Sequence, residues 1–156
     1  MGRDSKEIAQ ELLDNLSPAN DECRFVAERL GIVRTFVPGE QFSFGEFRIM
    51  PIVIDHSAFG AYAFRIEAKE LKVFHTGDFC IHGFGGSKLS QLIGKYVGKV
   101  DYMVCVATNV NSPAATIKSE HELQKEFGSG HCDMASLDEL LDMLKPKAII
   151  PIHTDN

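Results

Sequence analysis

The sequence has no tryptophan, no CxxC pair and no apolar run near the roughly 20 residues needed to cross a bilayer. A membrane-spanning helix is therefore not expected. The opening MGRDSKEIAQELL is charged and amphipathic and lacks the apolar stretch of a secretory leader. Cys23, Cys80, Cys105 and Cys132 stand far apart, which reads as four reduced thiols in a cytoplasmic protein. Positive charge is also short: 16 Lys and Arg face 22 Asp and Glu, giving a net charge of -6. A chain that holds nucleic acid by its own field normally shows a basic face, so this balance weighs against such binding. A local basic groove can still hide within an acidic total. Internal repeats and low-complexity tracts are missing too. What is present, 44% hydrophobic and 24% charged residues, is the balance of a soluble globular domain, and 156 residues suffice for one core.

Residues 4–14 read as a helix, capped by Asp4 or Ser5 and with Ile8, Leu12 and Leu13 on one face. A second helix is expected over 20–30, with Phe25, Val26 and Leu30 as its apolar side and Gly31 at its end. Strands follow over 33–37 and 41–54, punctuated by Pro38-Gly39 and Gly45, then over 61–67 and 71–76, joined through Ala68-Lys69-Glu70. Residues 87–97 carry helical spacing closed by Gly98, and 100–106 (VDYMVCV) is a short apolar run expected as a buried strand. Ser119 and Glu122 at capping-box spacing point to a helix over 116–127. Leu137, Leu140, Leu141 and Leu144 mark a helix stopped at Pro146, and AIIPIH a strand ending at His153. Helices and strands alternate across the second half, so an α/β layered domain is expected.

Several of these strands run into a side chain that binds metal or moves protons. One leads to Asp55-His56-Ser57, another to His75-Thr76-Gly77-Asp78, and the last delivers His153. In open α/β sheets, loops beyond the strand ends bring together residues from distant parts of the chain. Imidazole with carboxylate suits zinc, manganese or a related divalent ion.

The stretches DHSAFGA (55–61), HTGDF (75–79), SGH (129–131) and PIH (151–153) occur in the order seen in the metallo-β-lactamase superfamily. They look most like its nucleic-acid-processing β-CASP branch, in particular ribonuclease J. The resemblance runs from about residue 33 to the C-terminus. It implies a partial metallo-β-lactamase αββα sandwich, with mixed sheets and flanking helices, as a single domain over 1–156. Residues 1–32 form its helical lead-in, 33–128 its sheet–helix core and 129–156 its C-terminal helix–strand return. It also implies roles: His56 completes one metal's ligands, Asp78 bridges two metals and His153 binds the second. His131 assists proton transfer or contacts the scissile phosphate, which makes Asp78 and His131 the catalytic candidates.

Three departures qualify the resemblance. The superfamily's main ligand motif, HxHxDH, does not occur: the histidines are His56, His75, His82, His121, His131 and His153, no two of them two residues apart. MGRDSKEIA looks like the family segment just after that motif, as though translation began at an internal Met. Val106 stands at the acidic position of the family's (E/D)xTN motif, here Val106-Ala107-Thr108-Asn109. The β-CASP insertion, expected between Thr108 and Ser129, has no room. The resulting expectation is a truncated relative of a metal-dependent ribonuclease with lost or weak phosphodiester hydrolysis. Its zinc or manganese site would be incomplete, limited to His56, Asp78 and His153. Two alternatives stay open: a split hydrolase completed by another chain, and a non-catalytic interaction or dimerisation module. RNA is the partner the resemblance implies, with a homo-oligomer or partner chain favoured by the missing strands. The same three side chains can also persist as hydrogen-bonded polar residues without metal. His75 reads as a structural residue on a strand face, His82 and His121 as solvated. Cys80 and Cys132, close to Asp78 and His131, leave a thiolate-containing zinc site as a remoter option. Gly60 and Gly77 read as structural, allowing close backbone approach.

Overall fold

The β-branched and aromatic runs between turn-forming residues build a sheet, and its register fixes which side chains share a face. The computed structural model describes residues 1–56, 60–79, 88–106 and 134–152. Strands β1 (Phe42–Phe44), β2 (Phe47–Val53), β3 (Tyr62–Ala68) and β4 (Leu71–His75) form an antiparallel meander. Gly45, at φ 59°, turns β1 into β2, and Lys69, at φ 55°, lies in the two-residue connection from β3 to β4. Helix α3 (Leu89–Tyr96) then leads to β5 (Tyr102–Val106), which lies parallel to β4. Helix α4 (Met134–Leu144) precedes β6 (Ala148–Ile152), parallel to β5. The six strands lie side by side in sequence order. Parallel neighbours need a crossover, and a helix in each crossover packs back onto the sheet.

Both crossover helices cover the same face. Ile52, Ala63, Phe74, Met103 and Cys105 alternate onto that face and cluster with Leu89, Ile93 and Val97 from α3 and its end, and with Leu137, Leu140 and Leu144 of α4. Burial raises the pKa of the Cys105 thiol, so it stays protonated at neutral pH. The opposite face carries Phe44, Val53, Phe64, Leu71, Tyr102 and Ile150 by the same alternation. Phe36 covers part of it, meeting Tyr62 and Phe64 edge-on at 5.0 and 5.7 Å between ring centroids.

Helices α1 (Arg3–Leu16) and α2 (Asp21–Gly31) pack on each other ahead of the sheet. Asn20 caps α2, accepting hydrogen bonds from the Glu22 and Cys23 amides. At the other end of α2, Lys6 Nζ donates to the Gly31 and Val33 carbonyls at 2.9 and 2.7 Å, satisfying acceptors a helix end leaves open. Two expectations change here. The N-cap of α1 is Gly2, without a side-chain cap, rather than Asp4 or Ser5. Residues 33–37 form no strand; Phe36 makes only an isolated bridge with Gly2, its ring being used on the sheet face. The helix expected over 116–127 lies outside the described residues.

Near the start of β4, one row crosses the sheet with alternating charge. Arg48 of β2 pairs with Glu67 of β3, which faces Lys72 of β4. Asp101, just before β5, accepts a hydrogen bond from the Lys72 amide at 2.9 Å and meets Lys147 Nζ at 2.6 Å. Glu67 also takes Arg65, at 3.3 Å. Opposite charges on directly facing positions stabilise strand pairing and pin its register.

Candidate metal centre

The far ends of β2 and β4 meet beyond the sheet. After Val53 the chain continues through Ile54, buried and bonded through its amide to the Ala61 carbonyl at 3.2 Å, and so delivers Asp55 and His56. After His75, the Thr76 amide bonds the Val104 carbonyl at 2.9 Å, holding the end of β4 against β5. Gly77 then turns the chain at φ 61°, and Asp78 follows. Buried Phe79 anchors the other side of the turn in the core. Asp78 is thus fixed on both flanks while its own side chain stays partly open to solvent.

His56 Nε2 and Asp78 Oδ2 stand 3.9 Å apart. That is too long for a direct hydrogen bond. It suits two donors on one ion: ligands at about 2.0–2.2 Å from a zinc-sized cation can lie no more than about 4.4 Å apart. The separation of the imidazole and the carboxylate lies within that limit. They are two donors only, and no group of three His, Cys, Asp or Glu side chains assembles among the described residues.

His75 does not join this pair. Its Nδ1 accepts the Gly77 amide at 3.0 Å, so a neutral ring carries its proton on Nε2. It lies on the open sheet face, as the strand register requires, and helps shape the glycine turn. This local bond has no sequence signature, because it depends on the backbone angle at Gly77. Val106 is buried at the end of β5 and pairs with Ile152. The position resembling an acidic ligand is therefore filled by an apolar side chain packed inside the domain. His131, His153, Cys80 and Cys132 lie outside the described residues; His153 directly follows Ile152.

A six-stranded mixed sheet with crossover helices on one face is one half of the layered αββα arrangement of the metallo-β-lactamase fold. Comparison with known proteins agrees, and the chain has that fold. Residues 124–156 match a family model described as a Zn-dependent metallo-hydrolase RNA specificity domain. Among solved structures, CmlA, a diiron β-hydroxylase from Streptomyces venezuelae, is 14% identical over 81% of this chain and 26% of its own, with a TM-score of 0.55. A Thermotoga maritima protein assigned to the Zn-dependent hydrolases of the metallo-β-lactamase superfamily is 18% identical over 78% of this chain and 49% of its own, with a TM-score of 0.50. The chain thus spans about a quarter of the first and about half of the second. A comparison with curated proteins gave no match. Among the described residues, no helix is long and apolar enough to cross a membrane.

Proposed function

We propose that these 156 residues supply part of the metal centre of an RNA-directed metallo-hydrolase of the ribonuclease J type. The observation that carries the reading is the 3.9 Å approach of His56 and Asp78, brought by separate strands to one point. His153 adds the next donor and His131 the proton-transfer group, both within the stretch that resembles the RNA specificity domain. A divalent ion held there would lower the pKa of a bound water and neutralise charge on a phosphodiester oxygen. The chain's own residues hold and orient: the Gly77 turn aims Asp78, and the Ile54–Ala61 bond fixes the entry to His56. With no HxHxDH in these 156 residues and Val106 buried, the chain alone builds an incomplete centre and has weak or no hydrolytic activity.

Metal titration of the purified chain with zinc and with manganese tests this. One ion or fewer per chain is expected, and His56→Ala or Asp78→Asn should weaken it at least tenfold, the usual direction when one of few ligands is removed. Two tightly held ions per chain, or RNA turnover abolished by Asp78→Asn, would show that the centre is complete. No metal binding at all would sink the site.

A second reading is favoured by the open sheet face, where Phe44 is 73% and Leu71 52% exposed. An apolar face of that kind fits a chain that works by joining another, whether to complete the centre or as an interaction module.

A further inference from the structure

The charge row that crosses the sheet is uneven in depth. Its anions are sheltered: the Glu67 and Asp101 side chains are 12% and 17% exposed. Its cations stand outside them, with Arg48 at 52%, Lys72 at 48% and Lys147 at 77%. They occupy alternate strands, β2, β4 and the start of β6, so they recur at roughly 10 Å, twice the spacing of neighbouring strands. Arg65 also reaches Glu67, and its guanidinium donates to the Tyr96 carbonyl of α3. Lys95, exposed, lies over the Tyr96 ring at 4.7 Å, on the helix whose end Arg65 bonds. Four cations, Arg48, Arg65, Lys72 and Lys147, thus meet two anions along the row, on a chain whose total charge is -6.

We propose that this row is a binding ridge for a single-stranded RNA backbone, separate from the candidate metal centre at the opposite ends of β4 and β5. Partly sheltered carboxylates hold the cations in place and cancel only part of their charge, leaving their outer surface for phosphate oxygens. A straight, regularly stepped line suits a linear polyanion. Lys147 belongs to the stretch that resembles an RNA specificity domain, and the choice of RNA over other polyanions rests on the functional reading above.

Fluorescence anisotropy with a labelled single-stranded RNA of mixed sequence, titrated with the full chain in EDTA over a range of salt, tests the ridge. Salt-dependent binding is expected. Lys72→Gln, Lys147→Gln and Arg48→Gln should each weaken it several-fold and lower the slope of log K against log salt by about one. Arg24→Gln, on α2 and paired only with Asp21, serves as a charge-matched control and should change neither. Arg48→Gln, on a different strand, decides the question if loss of Lys72 or Lys147 disturbs folding, and a thermal melt of each variant separates loss of binding from loss of fold. Absence of binding, or binding that these variants leave untouched, overturns the ridge. So does binding of polyglutamate or phosphatidylserine vesicles at salt concentrations where RNA is released. Because the assay contains no free metal, a failed ridge leaves the metal titration standing, and a failed metal titration leaves the ridge to its own test.

Discussion

At φ 61° the backbone of Gly77 occupies the left-handed region, and a Cβ there would meet the Tyr62 carbonyl oxygen at 3.1 Å. An L-residue costs about 1–2 kcal/mol in that conformation even without a contact. Gly77→Ala should therefore lower stability by at least about 1–2 kcal/mol in urea denaturation. It should also weaken metal binding, because relief of the contact moves Asp78 away from His56. A variant with unchanged stability and unchanged metal affinity would show that the turn does not aim Asp78. Gly60 is constrained similarly, at φ 73° with Ser5 Oγ at 2.7 Å from the site of a Cβ. At this scale the candidate residues were legible, since His56, Asp78 and Val106 stand in short motifs, and the structure brings His56 and Asp78 to 3.9 Å. The His75–Gly77 bond and the separation of His56 from Asp78 were not, because both depend on backbone angles rather than residue type.

The charge row holds three parallel strand starts together, and its protonation chemistry follows from its partners. Asp101 is held below the ordinary carboxylate range, first by the hydrogen bond from Lys147 and then by that from the Lys72 amide. The unfolded chain therefore binds that proton more tightly. The contribution of Asp101 is present above about pH 4 and is lost as pH falls through its lower folded value. Lys147 is raised by the same hydrogen bond, so its contribution is present below about pH 10 and is lost as pH rises through the higher folded value. Urea midpoints measured across pH should show Asp101→Asn flattening the acid limb, and an unchanged acid limb would remove Asp101 from the account. Burial pushes the Glu67 carboxyl up, but the hydrogen bond from Arg48 and the charges of Arg65 and Lys72 outweigh it and leave the pKa lowered. Glu67→Gln should cost about 1–3 kcal/mol, since it leaves sheltered donors without their anion. The strands themselves were legible because glycine and polar turns bracket each apolar run. The row was not: Arg48, Glu67, Lys72, Asp101 and Lys147 become neighbours only once the register is set. Residues 33–37 carried strand-like composition, yet Phe36 is spent on the sheet face instead of in a ladder.

Over the whole molecule, the two faces of the sheet differ in what covers them. Helices α3 and α4 seal one; on the other, strand alternation places Val53, Leu71 and Ile150, which remain about half exposed. Isolated apolar residues on a surface need no explanation, but a contiguous apolar face larger than a few hundred Å² marks an interaction surface in soluble proteins. Strand β6 compounds this, since it pairs with β5 on one side and has no neighbour on the other among the described residues. An unpaired strand edge beside an apolar face invites another chain. The expected outcome is self-association that grows with concentration, measured by light scattering during size-exclusion chromatography. Leu71→Lys with Ile150→Lys should shift the chain toward monomer while leaving the thermal midpoint nearly unchanged, because both side chains are already half in water. Addition of a polypeptide carrying HxHxDH should compete with self-association if the same face completes the hydrolase. A wild-type chain that stays monomeric at every accessible concentration, with no partner able to bind it, would mean that the open face is tolerated rather than used.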